Sequence, residues 1–165
     1  MTPTSLTSLT DFCVAVVGFS GIVATLAYQG SRFAPLDRFR VFTLLLYALC
    51  GAFGSLGPMV AQGFGASAPL YWQIGAGTLS LLMIGSILAT FMAAWQLPPA
   101  DRAKLQLYVW ILVVGGNAVL AIWLAASLVA FPGPGPIMTA IIWQLFLSVL
   151  LFIRLILNPR PVRSE

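Results

Sequence analysis

Long apolar runs alternate with short polar seams along this chain. Five runs, at about 12–28, 41–62, 70–95, 105–131 and 137–157, are almost free of charge, and each is 17 residues or longer. An α-helix rises about 1.5 Å per residue, so runs of about 20 residues match a hydrocarbon layer of about 30 Å. The strict apolar–polar alternation of a transmembrane β-barrel is absent, which leaves helices as the spanning element that satisfies its own backbone. The pattern predicts an all-α integral membrane bundle of five transmembrane helices, one domain over residues 1–165.

The seams carry the punctuation. Residues 1–10 are rich in Ser and Thr and hold no Lys or Arg, so the first run reads as a retained span rather than a secretory signal. Asp11 is expected to cap it, and Asp37, after the helix-stopping Pro35, is expected to be the N-cap of the second helix. Within the second run Gly51, Gly54 and Gly57 recur at i+3 before Pro58, which predicts close helix approach along one side and a kink in the outer third. Phe131-Pro-Gly-Pro-Gly-Pro136 reads as a stiff connection ahead of the last span.

Composition agrees. With 60% hydrophobic and 7% charged residues, the chain is far too apolar for a soluble domain. A net charge of +4 would suggest nucleic acid in a soluble protein. Here Arg32, Arg38 and Arg40, then Arg102 and Lys104, then Arg154, Arg160 and Arg163 account for all eight basic residues. All fall on one side of the five-span arrangement. The excess of Lys and Arg in cytoplasmic loops then places the N-terminus outside and the C-terminus cytoplasmic, with the lipid bilayer as partner and no nucleic acid. Tyr28, Trp95, Tyr108 and Trp110 are expected at the inner interface, and Tyr71 and Trp72 at the outer one.

One seam occurs twice. Pro35-Leu-Asp-Arg-Phe-Arg-Val41 and Pro99-Ala-Asp-Arg-Ala-Lys-Leu105 stand 64 positions apart. Ser20-Gly-Ile-Val-Ala-Thr25 is similar to Gly85-Ser-Ile-Leu-Ala-Thr90, and Tyr28-Gln29 has a counterpart in Trp95-Gln96. This reads as two tandem helical hairpins plus a fifth helix. The alternative is that Pro-x-Asp-Arg is simply how a helix starts on the cytoplasmic side.

The four acids, Asp11, Asp37, Asp101 and Glu165, lie at span ends or in the tail, and there is no histidine. Proton coupling through an intramembrane carboxylate or histidine is therefore not expected. General acid–base catalysis, an activated Ser or Cys, and metal or haem ligation all lack their groups in the spans. The chain reads as a non-enzyme with no cofactor. Cys13 and Cys50, placed near the outer end and mid-depth of their spans, come out about 10 Å apart in depth at the helical rise, too far for a disulfide.

The polar residues left at depth are neutral. Asn117, beside Gly115 and Gly116, heads a small-residue stripe with Ala121 and Ala125; it could line a solute path or make an interhelical hydrogen bond, and the second is the plainer role. Gln144 and Gln73 are expected in the hydrated outer portions of their spans. Gly85-x-x-x-Ala89 fits internal packing or dimerisation equally, and Arg154 reads as snorkelling to the headgroups. Asp37 and Asp101 could pair with Arg102 and Arg38 across the hairpins as a cytoplasmic latch, although capping and charge bias already account for them.

The run Phe19-Ser-Gly-Ile-Val-Ala24 followed by Pro35-Leu-Asp-Arg-Phe-Arg40 resembles small, functionally uncharacterised multipass membrane proteins of bacteria. The resemblance covers about the first third of the chain and implies no activity, substrate or site residue. The expectation is a structural or accessory subunit of a bacterial inner membrane, self-associating or joined to another membrane protein. The alternatives are a small channel or facilitator for a neutral solute, with Asn117 and Gln144 on the route, and a sensor signalling through the Asp-Arg seams.

Overall fold

The computed structural model describes residues 7–27, 34–103, 105, 107–130 and 132–157, and every regular element among them is helical. In order these are α1 (Thr7–Ala27), α2 (Pro35–Gly63), α3 (Ala68–Trp95), the single turn α4 (Pro99–Arg102), α5 (Leu107–Trp110), a π-helical turn (Ile111–Gly115), α6 (Gly116–Ala130) and α7 (Pro134–Leu157). Four stretches are long and apolar enough to cross a membrane: α2, α3, the π turn with α6, and α7 over Pro134–Leu155. The first predicted span corresponds to α1, of 21 residues. Tyr28, Gln29, Arg32, Lys104, Phe131, the seam 158–161, Arg160 and Arg163 lie outside the described residues.

Helix starts differ from the sequence expectation in a consistent way. Asp37 is not the N-cap of α2. The helix begins at Pro35, with Ala34 capping it in an extended conformation (φ −64°, ψ 150°). Proline suits the first helical position because its φ is preset and it has no N–H to leave unpaired. Asp37 instead sits in the first turn, where a carboxylate meets the positive end of the helix dipole. Asp11 is likewise not a cap, since α1 already begins at Thr7. Pro134, Gly135 and Pro136, expected in the connection, form the first turn of α7, because the first-turn N–H groups have no intrahelical acceptor anyway.

Helix α2 organises the bundle. It packs against α1, α3 and α7, and α3 carries the contact on to α6. Where α2 ends, Gly65 takes φ +81°, with Ala66 N–H bonded to Ala61 O (3.1 Å) and Gly65 N–H to Gln62 O (2.9 Å). That is a Schellman ending, and the left-handed residue it needs is glycine. The i+3 glycines Gly51, Gly54 and Gly57 serve three neighbours, Gly51 facing α1 and α7 and the other two facing α3. A Cβ on Gly51 would lie 3.1 Å from Cys13 Sγ, whereas one on Gly54 would meet Leu79 and one on Gly57 would meet the backbone of Gly75. A spacing of three advances about 300° around the helix, so the contacts swing from α1 towards α3. Pro58 lies within α2, which continues to Gly63. Its ring packs where a Cβ on Gly75 would be, 2.3 Å from Cγ.

Neighbouring α1 and α2 are set in register by Thr10 Oγ1 and Ser55 Oγ, 2.6 Å apart, and by Cys13 against Gly51. This corrects the depth expected for the cysteines. Cys13 and Cys50 belong to one core cluster, and both thiols are free and buried. The offset vanishes because α1 starts level with the middle of α2's second half, not with its end. The same register carries Asp11 to about the level of Ser55, eight residues or roughly 12 Å short of Gly63.

Most of the outward surface is apolar, with Phe53, Leu81, Val119, Ile122 and Val129 all exposed. Against lipid such burial gives little transfer gain, so close packing and interhelical hydrogen bonds hold the helices. Tyr71 and Trp72, expected as an outer aromatic belt, turn inward instead. They are 8% and 5% exposed and stack edge to face at 5.0 Å. Trp95 is exposed, with the Arg102 guanidinium 5.3 Å from its ring.

Candidate functional site

Polar side chains converge where α2, α6 and α7 meet. The fourth run is not one continuous α-helix: α5 passes through the π turn before α6 begins. A π turn inserts one residue into the helix and changes which way its side chains face. Two residues further on, Asn117 is fully buried and donates from Nδ2 to Val113 O at 2.6 Å, inside that turn. Gly116 lets α7 approach, because a Cβ there would lie 2.2 Å from Trp143 Cζ2.

From α7, Gln144 Nε2 donates to Asn117 Oδ1 at 2.8 Å. Gln144 is 0% exposed. It does not lie in the outer, hydrated portion of its span, because α7 begins at Pro134 and Gln144 is the eleventh of its 24 residues. Gly51 makes room for its stem, 3.4 Å from a hypothetical Cβ, and Ser148 Oγ donates to Gln144 O at 2.9 Å. Two buried atoms here have no hydrogen-bond partner among the described residues, the acceptor Gln144 Oε1 and the donor Trp143 Nε1. The centre is thus a neutral amide pair with one spare acceptor. It can hold a hydrogen-bond donor, and neither amide is itself a base or a nucleophile.

The stripe expected with Asn117 is only partly inward. Ala121 is buried, but Ala125 is exposed, and the inward row continues through Leu124 and Ser127. A strict i+4 series drifts off a face of 3.6 periodicity, which explains the turn. Ser80 Oγ donates to Ala121 O at 3.0 Å. Gln73 ties α3 to α6 through Leu128 O at 2.8 Å, and Tyr47 Oη pairs with Thr90 Oγ1 at 3.0 Å. Gly85 faces outward, and a Cβ on it would touch nothing within 4 Å.

At the basic end of the bundle Asp37, 4% exposed, lies 3.6 Å from Arg40 of its own helix. Arg102 donates to the carbonyls of Trp95 (2.5 Å) and Leu97 (3.3 Å). Arg38 is exposed and borders a groove that reaches Gln96 and Leu97, while Asp101 lies in the single turn α4. Ion pairs of Asp37 with Arg102 or of Asp101 with Arg38 are absent among the described residues. The two seam copies also fold differently, one opening a 29-residue helix and the other stopping after four residues.

Sequence reasoning picked out Asn117 and Gln144 without joining them, and it missed Trp143, Tyr47 and Thr90. The adjacent Gly115-Gly116-Asn117 was the available signal, a flexible point followed by a polar side chain. Comparison with known protein families, characterised proteins and solved structures finds no match for this chain.

Proposed function

We propose that this chain is a five-pass integral membrane protein of a bacterial cytoplasmic membrane, N-terminus outside and C-terminus cytoplasmic. In this reading it acts without enzymatic chemistry, as a structural or accessory subunit associating with itself or with another membrane protein. One observation carries the reading: the polar groups at depth hydrogen-bond one another inside the bundle, with Asn117 and Gln144 both fully buried. A solute path would leave such groups facing an open lumen. The apolar outer surface supports assembly within a bilayer, and the one-sided placement of the eight basic residues supports the orientation.

A second reading, a facilitator for a neutral solute, draws on the unpartnered Gln144 Oε1 beside the π turn, since π turns gather at functional sites. Native mass spectrometry of gently extracted protein, followed by flux assays on reconstituted vesicles, separates the two. Release with a second chain, or as an oligomer, at fixed stoichiometry and with no solute flux supports the accessory role. Flux of a neutral solute that Asn117→Leu abolishes overturns it.

A further inference from the structure

A crevice at the basic end, distinct from the buried amide pair, carries the features of a ligand site. It has a volume of about 60 Å³ and is bounded by α2, α3, the α5–π segment and α7. Its polar lining is Arg40, Thr43, Thr90 and Arg154; Phe39 and Trp110 are among the apolar walls. The broken start of the fourth run explains the opening. The single turn α4 of the preceding seam stops at Arg102 and α5 begins at Leu107, so among the described residues no regular helix runs between them past the basic ends of α2 and α7. The buried cluster of Leu44, Tyr47, Val113, Leu147 and Leu151 includes two residues of the crevice wall, Val113 and Leu151.

Arg40 and Arg154 bring two guanidinium groups to a mostly apolar crevice, and an anionic ligand suits that combination. The Arg40 side chain is 21% exposed, and its Nη1 lies 3.6 Å from Asp37 Oδ1. A guanidinium has five N–H donors, so several remain for a ligand. Arg154 comes from the last turn of α7 and faces the same space. Guanidinium groups match the oxygens of a phosphate in pairs, and basic pockets between helix ends bind phospholipid headgroups. A free anion would need only the charged rim. The walls formed by Phe39, Val109, Val114 and Leu151 suit a ligand that continues into an acyl chain.

We propose that Arg40 and Arg154 hold the phosphate of an anionic phospholipid from the adjacent leaflet, with the start of its acyl chain against the walls of this crevice. This rests on the chain being membrane-embedded and is independent of the accessory role. The test is native mass spectrometry of the full-length protein titrated with phosphatidylglycerol, with phosphatidylcholine and with inorganic phosphate. One saturable phosphatidylglycerol site is expected, weakened about fivefold by Arg40→Gln and again by Arg154→Gln. Arg38→Gln, outside the crevice, should leave it unchanged. Val114→Phe, which narrows the crevice and keeps both arginines, should also weaken it. Competition by millimolar inorganic phosphate would show the same two arginines serving a free anion, overturning the lipid as ligand. Equal binding of phosphatidylcholine, or unchanged affinity in both glutamine variants at unchanged helical circular dichroism, would overturn the site itself.

Discussion

Asn117 and Gln144 are two neutral side chains whose hydrogen bond crosses from one helix to another at the centre of the fold. Removing either leaves the other buried with a polar atom unmatched, and that penalty usually exceeds the net worth of the bond. Asn117→Leu and Gln144→Leu should therefore each lower unfolding stability in detergent by about 1–2 kcal/mol. The double variant should lose clearly less than the sum, because it removes both orphans together. Additive losses in a double-mutant cycle would mean that the pair is not coupled. At this scale the sequence showed which residues were polar within apolar runs. It could not show their partner, because Gln144 was counted from Ile137 as the helix start, whereas Pro134 and Pro136 are helical.

Among the elements, α2 and α3 meet through glycine and proline. Pro58 lies against Gly75, where a Cβ would come 2.3 Å from Cγ and 2.7 Å from Cδ of a rigid ring, with Ile137 Cδ1 at 3.1 Å. Gly75→Ala should destabilise the bundle by about 1–3 kcal/mol as an overpacking change. Gly85→Ala, open on every side, should be neutral or slightly stabilising through helix propensity. Thermal denaturation of the two variants side by side checks this, and equal midpoints would count against the close α2–α3 contact. The i+3 glycines were visible in the sequence, and so was the presence of long helices. Their division among three neighbours was not, because it depends on which helices surround α2. The π turn was hidden for a related reason: Ile111-Leu-Val-Val-Gly115 is as apolar as any α-helical segment, and hydropathy does not register one extra residue in a turn.

For the molecule as a whole, the long apolar runs gave the helical class directly; of the five spans they predict, four are helices long and apolar enough to cross a membrane among the described residues. Tertiary relations were less legible. The cysteines share a level because α1 is set against the interior of α2, a register that separate spans do not reveal. The proposed orientation makes a further prediction. In a background with both native cysteines replaced by Ala, a Phe64→Cys variant, at a position 89% exposed, should react with an impermeant maleimide added to intact cells. An Arg38→Cys variant should react only after the cells are opened. The reverse pattern would invert the topology.

The helices differ in length. At about 1.5 Å per residue, α2 and α3, with 29 and 28 residues, run roughly 42–44 Å, while the contiguous α5, π turn and α6, Leu107–Ala130, with 24, run roughly 36 Å. The shorter stretch lies nearer a hydrocarbon slab of about 30 Å, and the longer pair exceeds it clearly unless tilted. Surrounding lipid therefore meets a wall of uneven height. Its chains are asked to stretch beside α2 and α3 and to relax beside α5 and α6, which gives this protein a thicker flank and a thinner one within a single circumference.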